Sequence, residues 1–312
     1  MSMAKHRAFN FDFMGKRYLA LALSGILSVL SLVSLVGQGL KLGLDFTGGT
    51  LVEVSYSAPV DPNQIRTLLI QNGFENALVQ HFGTVREVLI RLPPEAEMSG
   101  AGLSTKMMTV LRSVPGAEPS LRRVEFVGPQ VGEDLVEKGG LAVLFSLIGI
   151  LIYVAWRFEY RFATGAVIAT IHDVLVTVGF FSLTQLEFDL TVLAAVLTII
   201  GYSLNDTVVV FDRIRENFRR MRRGEAIEII NASINQTLSR TLLTSLSTLL
   251  VVIALALLGG ETIRNFSIAL ILGIIVGTYS SIYIASTLLL LLKIKREHLL
   301  LPEKEAIDVE RL

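Results

Sequence analysis

Cysteine is absent from all 312 residues, so no disulfide, thiolate metal site or cysteine nucleophile can form. A domain exported from the cytoplasm would have to hold together by its core alone. Net charge is absent as well: 28 Lys and Arg balance 28 Asp and Glu, which removes nucleic-acid binding through bulk basic charge. Charged residues are scarce as a class, 18% against the about 25% of a soluble chain. The deficit is concentrated in a few stretches, and an ordinary soluble globular protein is excluded.

Those stretches are apolar. Hydrophobic residues make up 52% of the chain and the mean hydropathy is +0.59. Six blocks of 18 or more residues are nearly free of charge: Tyr18–Leu40, Gly139–Trp156, Phe162–Leu186, Leu190–Phe211, Thr241–Gly260 and Asn265–Leu292. A helix crosses the bilayer core with about 20 apolar residues, so the blocks predict six transmembrane helices. Lys5, Arg7, Lys16 and Arg17 precede the first block, as they would a signal peptide. A signal peptide's apolar region is shorter, about 7–15 residues, and ends at an A-x-A site. This block has no such site and is expected to be a retained helix.

Orientation follows from Lys and Arg in the loops. If the helices alternate, 18 of these residues fall on one side: the N-terminus, 157–161, 212–240 and the tail after 292. The opposite loops hold none in 185–189 and one in 261–264. Both termini are therefore expected in the cytoplasm. Residues 41–138 are expected outside; their nine Lys and Arg weigh little because long domains translocate largely regardless of charge.

That segment is long enough for one small domain. Leu51–Ser57 alternates, with Val52, Val54 and Tyr56 on one face, and predicts a strand. Asp61 is placed as N-cap of a helix with Pro62 at its first position and Gly73 at its end. Ala77–Phe82 and Glu87–Leu92 read as strands around Gly83, Ser99–Val114 as a helix closed by Pro115-Gly116, and Leu121–Val127 as a last strand. The order β-α-β-β-α-β is ferredoxin-like. The fold class expected is thus an α-helical polytopic membrane protein, six transmembrane helices plus one external ferredoxin-like α+β domain. His81 stands alone and reads as a surface or strand residue. Asp45, Gly48 and Gly49, in DFTGGT (Asp45–Thr50), read as a tight turn that needs glycine's φ freedom.

An ionisable group inside a span costs roughly 2.5–3.5 kcal/mol at the helix centre and is a functional hypothesis by default. His172 and Asp173 lie midway along the third span; Asn205 and Asp206 lie in the fourth, near its cytoplasmic end. Arg240 opens the fifth span from the same side, so Asp206 and Arg240 are expected at similar depth and within electrostatic reach. Thr198, Tyr202 and Asp206 form one polar stripe, and Thr237, Thr241, Thr244 and Thr248 another. The stripes fit either a hydrated path or interhelical hydrogen bonds. Ala269, Gly273, Gly277, Ser281 and Ala285 form a small-residue seam for close approach of another helix, in this chain or a second one. Asp212–Arg223 continues the fourth span. Its apolar face, Phe211, Ile214, Phe218 and Met221, is ringed by arginines and reads as an interfacial helix on anionic headgroups.

Several of these residues also carry a resemblance. DFTGGT, His172-Asp173, Gly201–Asn217 (GYSLNDTVVVFDRIREN) and Ser239-Arg240-Thr241 resemble the signatures of the SecD/SecF protein-export family, a branch of the resistance-nodulation-division superfamily. The GYSLND form and the single six-span chain resemble its SecF branch. The resemblance implies a non-enzymatic subunit without cofactor, metal or catalytic residue. It implies work with SecD and the SecYEG channel, with SecA and YajC as further candidate partners, alongside membrane lipids and the translocating preprotein, and no nucleic acid. It implies that the proton-motive force drives preprotein translocation. The family's proton-relay carboxylate falls on Asp206 and its arginine on Arg240, with His172, Asp173 and Asn205 as a candidate second polar site.

Three other readings compete with this one. A small-molecule proton antiporter of the same superfamily usually carries two halves, so this chain would have to dimerise. An intramembrane aspartyl protease would use Asp173 and Asp206, but needs a GxGD context where this chain reads Leu204-Asn205-Asp206. A purely structural subunit would tolerate Asp206→Asn.

Overall fold

The computed structural model describes residues 10–94, 100–114, 116–221 and 224–294. Lys5, Arg7, Ser99, Pro115, Arg222, Arg223 and the tail from residue 295 fall outside them. A 3-10 turn at Met14–Lys16 leads into α1 (Arg17–Gly37), and a short helix, α2 (Leu44–Thr47), precedes a small α+β domain. The other long helices are α5 (Pro129–Arg157), α6 (Tyr160–Thr184), α7 (Leu190–Arg220), α8 (Ala226–Leu258) and α9 (Glu261–Ser280). The last continues through a π-turn at Ser281–Ala285 into α10 (Ser286–Leu291). Among the described residues six helical stretches are long and apolar enough to cross a membrane.

Helix length and span length part company at two places. The second and fifth helices begin at Pro129 and Ala226, well before the apolar blocks that start at Gly139 and Thr241. Charged turns such as Glu133–Lys138 are poor bilayer residues but good helix formers. The early part of α8 packs on the late part of α7. Phe211, Ile214 and Phe218 are buried against Ile229, Ile230 and Ile234, and Asn217 Nδ2 donates to Ser233 Oγ at 2.8 Å and Gln236 Oε1 at 3.0 Å. The apolar face expected on headgroups is therefore the seam of a helical hairpin, and only Met221 remains exposed.

Helices α6 and α9 sit at the centre of the bundle, with α1, α5 and α8 more exposed around them. The small-residue seam finds its partner within this chain. A Cβ on Gly273 would come within 2.3 Å of Ile199, and one on Gly277 within 3.0 Å of Ser203, both on α7. The same device joins α1 to α6, where a Cβ on Gly179 would meet Ser31 at 2.2 Å.

The α+β domain is built from β1 (Gly49–Tyr56), α3 (Pro62–Gln71), β2 (Leu78–Phe82), β3 (Thr84–Leu92), α4 (Gly100–Leu111) and β4 (Pro119–Val127). The sheet order is β2-β3-β1-β4, with β1–β3, β1–β4 and β2–β3 paired antiparallel, the ferredoxin-like arrangement read from the sequence. Asp61 caps α3 by accepting from Asn63 N at 2.9 Å, a contact worth about 1 kcal/mol. His81 is exposed on β2. Val52, Val54 and Tyr56 enter the core with Ile65, Leu69, Ile90 and Met107.

Tyr56 is an oddity of that core. Its hydroxyl is buried without a partner among the described residues, and burial pushes its pKa from 10.0 up to about 12. The fold holds the neutral phenol. Its contribution is whole below pH 10 and is lost as the pH rises towards 12. Tyr56→Phe, which relieves an unpaired buried hydroxyl, is expected to stabilise the domain by about 1 kcal/mol. It should also flatten the loss of stability between pH 10 and 12. Thermal unfolding against pH checks both; a destabilised Phe variant would mean that the hydroxyl has a partner.

Candidate functional site

Three polar side chains on one face of α7 each reach a different neighbour. Ser203 Oγ donates to Asp173 Oδ2 on α6 at 2.5 Å, Asp206 Oδ2 accepts from Ser245 Oγ on α8 at 3.4 Å, and Thr207 Oγ1 bonds Ser281 Oγ in the π-turn at 2.8 Å. All of these lie in the bundle interior; Asp173 is 0% exposed and Asp206 3%.

Asp173 is saturated. Besides Ser203, its carboxylate takes Ser280 Oγ at 2.8 Å and faces His172 Nδ1 at 3.1 Å. Three neighbours on a fully buried carboxylate make a rigid joint between α6, α7 and α9. His172 Nε2 on the far side of the ring is buried without a partner among the described residues. Asn205, expected in the same group, is exposed on another face of α7 and does not join it. Position 205 is one residue from the inward-facing Asp206, and the helix turns it outward.

Asp206 is held more loosely. Its bond from Ser245 is long, and Ser245 Oγ is also 2.8 Å from Thr278 Oγ1 on α9. A hydroxyl has one proton to give, so Ser245 stands between the carboxylate and α9. Arg240 is not at this level. It lies five residues before Ser245 on α8, about 7–8 Å nearer the end of the bundle away from the α+β domain. There it is exposed and lines a cleft of about 360 Å³ with Arg157, Asp212, Arg213 and Glu216. Its guanidinium acts on Asp206 through space, with no ion pair between them among the described residues. The electrostatic reach expected from the sequence is present, across a backbone offset of about one and a half turns.

Of the two polar stripes, only Asp206 bridges helices by a side-chain hydrogen bond among the described residues. Thr198, Thr237, Thr244 and Thr248 return their hydroxyls to carbonyls of their own helix. Thr241 Oγ1 and Tyr202 OH are buried without a partner among the described residues. Ser203, Ser245 and Ser280, which do bridge helices, were not singled out in the sequence. Spacing was the available signal, since Ser203 stands one turn before Asp206.

The Asp45–Thr50 turn is set against the bundle. Asp45 Oδ2 accepts from Leu190 N at 2.9 Å, the first free N–H of α7, and Asp189 caps Val192 N at 2.8 Å. Gly48 has φ +68° and Gly49 +119°, conformations that favour glycine. A Cβ on Gly49 would sit 2.3 Å from the Leu92 carbonyl oxygen. Leu44–Thr47 form α2 and Gly49 opens β1, so the glycine pair is the break between helix and strand.

Comparison with known proteins places this geometry. Residues 106–295 match the family described as protein export membrane protein SecD/SecF, C-terminal, and residues 33–60 the SecD/SecF GG motif. The chain is similar to the protein translocase subunit SecF of Vibrio alginolyticus, 55% identical over 90% of each chain. It is 48% identical to that of Pseudomonas aeruginosa, over 95% of this chain and 96% of the other. Among solved structures it resembles SecDF, a translocon-associated membrane protein from Thermus thermophilus. The TM-score is 0.84 at 39% identity, covering 94% of this chain and 40% of that one.

Proposed function

The chain belongs to the SecD/SecF family of protein-export membrane proteins, as a SecF-type translocase subunit, and we propose that it converts the proton-motive force into movement of its α+β domain during preprotein export. SecDF is more than twice as long as the part matched here, so a working unit of that size calls for SecD as a second chain. In this reading the pair stands beside SecYEG in the inner membrane, with SecA and YajC as further partners. The termini are cytoplasmic and the α+β domain is outside. The subunit's part is mechanical, not enzymatic.

The observation that carries the proposal is Asp206, a titratable group 3% exposed within a span and tied by one long hydrogen bond. Ionised, it accepts from Ser245. Protonated, it donates to Ser245, which then turns its own proton towards Thr278. Each proton thus reverses a bond shared by α7, α8 and α9. A proton crossing 100 mV supplies about 2.3 kcal/mol, a bias of roughly 50-fold between two helix arrangements. Arg240, in the cleft nearer the cytoplasm, favours release from Asp206 by raising the positive potential along the exit.

Topology is the first test. Thr109→Cys, at an exposed position of α4 in a chain without cysteine, is expected to react with an impermeant thiol reagent in intact spheroplasts. Labelling that appears only after lysis would place the domain in the cytoplasm and sink the proposal.

A further inference from the structure

We infer that Arg91 and Glu187 form a latch through which α7 drives the α+β domain, an inference that rests on the proton-driven reading above. Between the open face of the sheet and the bundle lies a cleft of about 810 Å³, lined by Leu51, Glu53 and Leu89 on one side and Asp189, Glu261 and Phe266 on the other. Under this face of the sheet, broad packing therefore does not transmit motion to the strands. The entry of the domain is packed on the bundle through Phe46, whose carbonyl lies against Gly132 of α5, and the polar contacts that cross gather on the five-residue loop between α6 and α7 and the first residue after it.

That loop is gripped from three directions. Arg91 on β3 pairs with the Glu187 carboxylate, and both side chains are largely buried. Asn265 Nδ2, at the start of α9, donates to Glu187 O at 3.0 Å. The linker after α1 pairs with Phe188 as a short parallel bridge: Gly43 N donates to Phe188 O at 2.8 Å and Phe188 N to Lys41 O at 2.8 Å. Three residues after Glu187, Leu190 opens α7 and gives its N–H to Asp45.

Each grip ties to a different body. The linker and Asp45 belong to the entry of the domain, Asn265 to the bundle, and Arg91 to the sheet itself. Arg91 is the one side chain of the sheet that reaches the loop by an ion pair among the described residues. It flanks Leu92, whose carbonyl abuts Gly49, so a pull on Glu187 reaches the strand pair β1–β3 directly. A shift of α7 along its axis, set by the state of Asp206, moves Glu187 and, through Arg91, the sheet. Arg91 and Glu187 are positioning residues: they touch neither proton nor preprotein.

The test separates transmission from proton movement. Complexes with the partner subunit and channel are reconstituted in vesicles, and two rates are read: proton uptake under an imposed gradient, and gradient-stimulated export of a reporter preprotein. Arg91→Gln and Glu187→Gln are each expected to keep proton uptake within about twofold while export stimulation falls roughly fivefold or more. The reversed pair, Arg91→Glu with Glu187→Arg, is expected to recover at least about half of the stimulation. Arg91→Lys, which keeps the charge and is the variant safest for assembly, should exceed Arg91→Gln. Undiminished stimulation in the single variants, or a reversed pair no better than the poorer single variant, overturns the latch. If the unaltered complex shows no Asp206-dependent proton uptake, the proposed function falls instead, and the two failures are distinguishable.

Discussion

Asp206→Asn is expected to assemble normally and to lose gradient-stimulated export by roughly tenfold or more. The substitution is nearly isosteric. Its amide can still meet Ser245, so the buried site stays hydrogen-bonded and the bundle stays folded. What is lost is the ability to change protonation, and with it the reversal of the bond that Ser245 shares with Thr278. The measurement is export of a reporter preprotein in membrane vesicles with and without a proton gradient, beside co-purification with the partner chain. Two controls sharpen it. Ser245→Ala should leave proton uptake closer to normal than Asp206→Asn does, because the carboxylate remains. Arg240→Gln should slow proton release without unfolding the protein, because Arg240 is exposed and makes no ion pair with Asp206 among the described residues. An Asp206→Asn variant that exports with undiminished gradient dependence removes Asp206 from the proton path and restores the purely structural reading.

Gly49→Ala should be the most damaging single change in the α+β domain. At φ +119° an L side chain is strained by an amount of order 1–3 kcal/mol. The new methyl would also lie 2.3 Å from the carbonyl oxygen of Leu92. That oxygen cannot retreat cheaply, since Leu92 pairs with Thr50 in the β1–β3 ladder. The combined cost should reach about 3 kcal/mol or more, a large share of a domain's stability. Thr47→Ser, two residues earlier, keeps the hydroxyl that donates to Gly43 O at 3.1 Å on an exposed side chain. It should cost less than about 0.5 kcal/mol. Resistance of the domain to limited proteolysis, compared across the two variants, checks the contrast. Equal resistance would leave the glycine pair without its steric explanation.

The two predictions differ in how they could be reached. The strain at Gly49 follows from a short motif whose glycines must relieve something, and the structure supplied only the obstacle, the Leu92 carbonyl. The partner of Asp206 is of another kind. A residue's depth in a span is a single coordinate, read by counting at about 1.5 Å per residue. Rotation about the helix axis and the choice of neighbouring helix are separate coordinates that counting does not touch. Arg240 was matched to Asp206 by depth and by the family signature; it acts on the carboxylate through space, while its backbone stands about one and a half turns from that level. Ser245 faces the carboxylate because of the way α8 leans on α7.

By itself the sequence determined the elements whose cause is local. Six charge-poor blocks must cross a bilayer, because an unpaired charge there is too costly. The alternation of Val52, Val54 and Tyr56 and the cap at Asp61 settle strand and helix in order, and that order admits few topologies. Only the tertiary structure decided what depends on which helix lies beside which. Asp173 became a saturated joint because Ser203 and Ser280 arrive from two other helices. The arginine-ringed face of Phe211, Ile214 and Phe218 met α8, where Ile229, Ile230 and Ile234 share its apolar cluster. The contact of Arg91 with Glu187 spans 96 residues of chain. No periodicity carries information over that distance; it exists because folding of the sheet and docking of the helices bring the two ends to one place.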